Sequence, residues 1–121
     1  MEYVLTGIKV FIFLSIINVW FFRFNKATTW RGGSAKSMKE EFEVYGLSET
    51  LMYLVGALKV ISAILILASI WFPSLTIPAA GTMAVLMAGA ISMHVKVQDP
   101  IKRSFPAFSF LVLSVVLIFA G

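Results

Sequence analysis

Four apolar runs of membrane-crossing length leave this chain few ways to fold. A bilayer core about 30 Å thick is crossed by roughly 20 helical residues, and runs of that order occupy residues 3–22, 50–72, 76–95 and 105–120. In hydrocarbon a backbone N–H or C=O finds no water, so each crossing segment must satisfy its own backbone as a helix. The expected fold class is therefore all-α, a polytopic membrane four-helix bundle formed as a single domain over residues 1–121. Composition agrees, because 13% charged residues, against about 25% in soluble domains, leaves too little polar surface to face water.

The ends of the runs carry their own signals. Ser104 is placed to cap the fourth helix, with Pro106 in its first turn where the missing N–H costs nothing. Pro78 plays a similar part near the start of the third. The first run follows Met1-Glu2, without a basic segment before it, and is longer than the apolar core of an ordinary signal peptide. It reads as a retained span.

Charge sets the orientation. Arg23, Lys26, Arg31, Lys36 and Lys39 lie in the first connection and Lys96, Lys102 and Arg103 in the third, whereas the opposite side has no Lys or Arg. The positive-inside rule then predicts a cytoplasmic (inner) membrane protein with both basic loops cytoplasmic and both termini outside. Trp20, Trp30, Trp71 and Phe72 fall near the boundaries, as interfacial aromatics do. The net charge of +4 is explained by these loops, so membrane lipids are the expected partners and nucleic acid is not.

The first connection contains a capping-box pattern, Ser37-Met38-Lys39-Glu40, followed by Met38, Phe42 and Tyr45 on one helical face and Gly46 as a stop. This predicts a short interfacial amphipathic helix, about 38–46, between the first and second spans. In the third span Ala80, Ala84, Ala88 and Ser92 recur every four residues, with Gly81 and Gly89 beside them. Small residues let backbones approach where lipid supplies no hydrophobic drive. The neighbour belongs either to this chain or to a second copy.

Charged residues inside spans cost roughly 2.5–3.5 kcal/mol each on insertion scales. Lys9 lies about 9 Å from the outer boundary by helical rise, within reach of a snorkelling side chain. Lys59 is deeper and shares a face with Gly56 and Ser62. These three form a candidate ligand-binding set, Lys59 projecting either toward an anionic ligand group or onto carbonyls and water. Asn18, Arg23, Glu49 and His94 reach similar depth at the cytoplasmic mouth and form a candidate polar latch. His94 taken alone is a helix-end group favoured by the C-terminal dipole, and Glu49 suits the first turn of the second span with Ser48 as cap.

No cysteine is present and His94 is the one histidine. The chain therefore holds no thiolate metal site or dithiol, and no catalytic nucleophile with an evident base and orienting acid. No catalytic residue, metal or resident cofactor is expected.

Tyr53-Leu54-Val55-Gly56-Ala57-Leu58, the Ala- and Gly-rich span ending in His94, and Asp99-Pro100 followed by Pro106-Ala107 resemble the DoxX-like family of four-helix membrane proteins. The segment from Phe42 to Gly46 resembles the family's approach to its second helix. Similar proteins usually carry an acidic residue early in the second span, in a Gly-x-x-Glu context, where this chain has Lys59. The resemblance implies a link to membrane oxidoreductase systems and transfers no catalytic residues.

The leading expectation is a non-catalytic accessory subunit or assembly factor of a cytoplasmic-membrane complex, with a membrane-protein partner or further copies of itself. The alternative is a lipid- or quinone-binding subunit of a membrane oxidoreductase system, with Lys59 lining the pocket. A small dimeric exporter is the third reading; such exporters couple protons through a membrane-embedded glutamate, and no span interior here contains one.

Overall fold

The computed structural model describes residues 2–22, 24, 32–33 and 35–120. Among them the chain is helical and contains no strand. Helix α1 (Glu2–Ile17) continues as a π-helical turn, Asn18–Phe22. Then come α2 (Met38–Val44), α3 (Glu49–Ala68), α4 (Thr76–Lys96) and α5 (Phe105–Ala120), with 3-10 turns at Pro73–Leu75 and Ile101–Ser104. Four stretches, Glu2–Phe22, Glu49–Ala68, Pro73–Lys96 and Ile101–Ala120, are long and apolar enough to cross a membrane.

Alternating direction brings the loops bearing Lys36, Lys39, Lys96, Lys102 and Arg103 to one end, here the basic end. Packing is most extensive between α4 and α5, then between α1 and α3 and between α3 and α4, while α1 meets α5 only slightly. Phe11 and Phe110 bridge that last seam, stacked with centroids 5.9 Å apart. The core along the axis contains Ile12, Met52, Ile66, Met83 and Leu117, all fully buried.

Local chemistry sets the helix limits. Ser37 accepts a hydrogen bond from the Glu40 N–H at 3.2 Å, and Ser48 from the Leu51 N–H at 3.1 Å, so both caps satisfy donors that a helix leaves orphaned. Helix α2 ends at Gly46, whose φ of +76° is left-handed. The Leu47 N–H bonds back to the Phe42 carbonyl at 2.9 Å and the Gly46 N–H to the Glu43 carbonyl at 3.0 Å, a Schellman ending that sets Leu47 over Phe42. Ser104 ends the 3-10 turn that runs directly into α5 at Phe105. The α3 helix stops at Ala68, short of the apolar run's end at 72, where the Ser69 hydroxyl folds back onto the Ile66 carbonyl.

Two features of the fold position the site. The apolar face of α2, Met38 and Phe42, is buried against the bundle, leaving Lys39, Glu40 and Glu43 exposed. At the opposite end Lys9 is buried, its Nζ donating to the Ser69 carbonyl at 3.4 Å and the Thr76 hydroxyl at 3.5 Å. A helical side chain leans toward its helix N-terminus, so Lys9 reaches toward the near end of the span, where it meets the α3–α4 connection.

Candidate functional site

A cavity of about 910 Å³ opens in the basic half of the bundle, lined by the π-helical turn and all of α2 to α5. It reaches the surface along α4, where Val85 and Gly89 are exposed. Its walls are largely apolar, with Val55, Leu86, Met87 and Phe110 on the bilayer side. Polar groups gather toward the basic end: Asn18, Glu41, Lys59, His94 and Arg103.

Lys59 enters this space because α3 starts at the basic end and its side chain leans back that way. Its Nζ stands 5.7 Å from the centroid of the Trp20 ring, a cation–π distance. It has no hydrogen-bond or ion-pair partner among the described residues. The ring beneath it is held by Gly56: a Cβ there would lie 2.5 Å from Trp20 Cζ3 and 2.7 Å from Cε3. Trp20 in turn meets Phe42 edge-on at 6.3 Å, and Phe42 meets Tyr45 at 6.2 Å. Helix α2 thus supplies an aromatic floor.

The mouth is organised by Asp99. Helix α4 also ends in a Schellman pattern, but with Gln98, not glycine, at the left-handed position, φ +57°. The Asp99 N–H bonds the His94 carbonyl and the Gln98 N–H the Val95 carbonyl, both at 3.0 Å. Such an ending brings the residue after the turn onto the one five positions earlier, commonly as an apolar pair. Here the pair is polar and hydrogen-bonded: Asp99 Oδ2 lies 2.8 Å from His94 Nδ1. The Gly33 N–H donates to Oδ1 at 2.9 Å, and Arg103 Nη1 approaches Oδ1 at 3.2 Å while also donating to the Gly33 carbonyl. The Asp99 side chain is 4% exposed.

Burial alone would raise the Asp99 pKa. The His94 hydrogen bond, the Gly33 N–H and the charges of His94 and Arg103 outweigh it, holding the carboxyl below the usual carboxylate range. Around this hub, Lys96 Nζ donates to the Tyr45 carbonyl at 2.9 Å and the Tyr45 hydroxyl to Glu41 at 2.7 Å. The Tyr45 ring stands at 78° to His94. Gly32 packs so closely that a Cβ would fall 2.4 Å from the Tyr45 ring.

The sequence matches the DoxX-like family over residues 13–117. The chain belongs to the DoxX-like family. With its four apolar helices it is a multi-pass membrane protein. Comparison with curated proteins and with solved structures gave no match.

In this DoxX-like protein the residues singled out from sequence are distributed as follows. Of Lys59, Gly56 and Ser62, Lys59 lines the cavity, Gly56 seats the ring beneath it, and Ser62 is buried in α3 outside the lining. Of the four latch residues, Asn18 and His94 line the cavity, Glu49 is exposed in the first turn of α3, and Arg23 lies outside the described residues. In the small-residue stripe Ala80 is buried, Ala84 half-buried, and Ala88 and Ser92 exposed; a Cβ at Gly81 or Gly89 would meet nothing within 4 Å. The residue that sequence reasoning passed over is Asp99. Its signal was present in the spacing, five residues beyond His94 and four before Arg103, but Gln98 hid the turn that makes the spacing meaningful.

Proposed function

We propose that this protein is a non-catalytic accessory subunit that holds a lipid-soluble ligand, a quinone or an amphiphilic lipid, in the cavity at its basic end. In this reading the basic end faces the cytoplasm of an inner membrane, so the ligand enters from that leaflet, head toward the basic residues and tail toward the bilayer centre. One observation supports it above the rest: the ammonium of Lys59 stands in an apolar-walled cavity over the Trp20 ring, with no acceptor among the described residues. Lys59 is half-buried, with Glu41 lining the same cavity, and an ammonium drawn out of water is costly unless something accepts its hydrogen bonds. A carbonyl, carboxylate or phosphate oxygen on a ligand head does that, and the cavity's volume of about 910 Å³ lies within the range of about 300–1,000 Å³ typical of small-molecule sites.

The test is native mass measurement in mild detergent, combined with solvent extraction of the purified protein. A stoichiometric lipid or quinone is expected in the wild type and a several-fold reduced content in a Lys59→Met variant that folds normally. Unchanged ligand content in that variant sinks the reading. Quinone and phospholipid are separated by the extract itself. Pull-down from native membranes, followed by identification of the proteins retained, addresses the larger system that such a subunit would serve.

A further inference from the structure

The mouth of the cavity holds a second polar group with an unbonded atom, of opposite character to Lys59. His94 is 5% exposed and its ring lines the cavity. Its Nδ1 is taken by Asp99 at 2.8 Å, and no described residue is bonded to Nε2. A carboxylate accepts and does not donate. Asp99 is therefore paired with an Nδ1–H, and in the neutral ring that leaves Nε2 with a lone pair. The Gly33 N–H and Arg103, both bonded to Asp99, keep it an acceptor. The Schellman turn at Gln98 then fixes its direction.

We infer that His94 Nε2 is the hydrogen-bond acceptor for a hydroxyl-bearing aromatic head in this cavity, and that Asp99 is the residue that positions it. The inference rests on the cavity being a ligand site and goes further by naming the head chemistry. Lys59 offers a donor and His94 an acceptor to the same cavity, so a head that served both would present both an acceptor and a donor. A phenolic hydroxyl has both an O–H and lone pairs. The aromatic character of the head follows from its surroundings, since Trp20, Phe42 and Tyr45 line the same end of the cavity and already meet edge-on or tilted, with centroids 6.2–6.3 Å apart. Aromatic rings pack favourably at such separations.

Because His94 is the sole histidine, selective nitrogen-15 labelling of histidine reports on this ring alone. Spectra of the full-length protein in detergent at alkaline pH are expected to show protonated Nδ1 and unprotonated Nε2. A proton on Nε2, whether in the other tautomer or in a doubly protonated ring, overturns the inference without reference to any ligand. Asp99→Ala is expected to abolish the Nδ1–H preference; if that variant does not fold, the wild-type spectrum still decides.

Titration with a para-decyl phenol and with its methyl ether supplies the second arm. The phenol is expected to move the Nε2 resonance and to bind up to about tenfold more tightly than the ether, the range spanned by one neutral hydrogen bond. In His94→Phe that difference between the two probes is expected to vanish. Equal binding of both probes by the wild type, with Nε2 unmoved, leaves the cavity a ligand site and refutes the role of His94. Binding of neither refutes both.

Discussion

Substitution of two glycines in neighbouring spans separates packing from backbone preference. Gly56 and Gly89 both sit inside membrane-crossing helices, so alanine gains the same helix preference at each, about 1 kcal/mol on peptide scales. At Gly89 the new Cβ meets nothing within 4 Å, whereas at Gly56 it falls 2.5, 2.7 and 3.0 Å from three atoms of the Trp20 ring. Real Cβ contacts of that closeness are essentially unknown, so the ring must shift. It is wedged between Phe24, Phe42 and the Lys59 ammonium, which leaves no cheap direction. Overpacking of this kind costs about 1–3 kcal/mol. Gly56→Ala is therefore expected to be destabilised by as much as about 2 kcal/mol and Gly89→Ala to be unchanged or stabilised by up to about 1 kcal/mol. Reversible unfolding in detergent, monitored by Trp20 fluorescence in a background where Trp30 and Trp71 are phenylalanine, measures both. If Gly56→Ala is at least as stable as Gly89→Ala and its emission is unaltered, the Trp20 seat is wrong and the cavity floor with it.

Three further outcomes follow from the polar groups. Asp99→Ala removes a nearly fully buried carboxylate from His94, Gly33 and the partly exposed Arg103, and a loss of roughly 3 kcal/mol is expected in the same unfolding assay. Since the Asp99 pKa is lowered from 3.8 in the fold, its contribution is complete above about pH 3.8 and disappears as pH falls through the lowered value; Asp99→Asn must lack that acid transition. Gln98→Gly relieves a left-handed L-residue at φ +57° and is expected to stabilise the protein by about 1 kcal/mol, a change readable as a higher unfolding midpoint. Lys9→Met exchanges a buried ammonium held by two long bonds of 3.4 and 3.5 Å for a side chain of similar shape, and is expected to be neutral or stabilising by about 1–4 kcal/mol; a clear loss of stability would mean that those contacts are stronger than their lengths indicate.

Much of the architecture was legible because it is local. Apolar run length forecasts a crossing helix without knowledge of its neighbours, and Ser37, Ser48 and Gly46 mark limits through hydrogen bonds to residues a few positions away. The site was legible only where a residue was conspicuous by itself. Lys59 stands out as a charge in a span, whereas Asp99 looks ordinary in a polar loop and gains its place only when Gln98 turns the chain back on His94. Gly56 drew notice as a small residue on an interior face, yet the ring that needs its missing Cβ lies in another helix.

From the amino-acid order alone follow the number of crossing helices, their limits within a few residues, and the concentration of positive charge at one end. These rest on the backbone's need to bond itself in hydrocarbon and on the cost of charge there, both properties of single segments. Only the tertiary structure decided that α2 turns Met38 and Phe42 into the bundle, that Trp20 stands beneath Lys59, and that Asp99 joins two loops. Those arrangements depend on which faces meet across gaps of several dozen residues, and apolar side chains in a lipid-facing bundle are too alike for their pattern to name the partner.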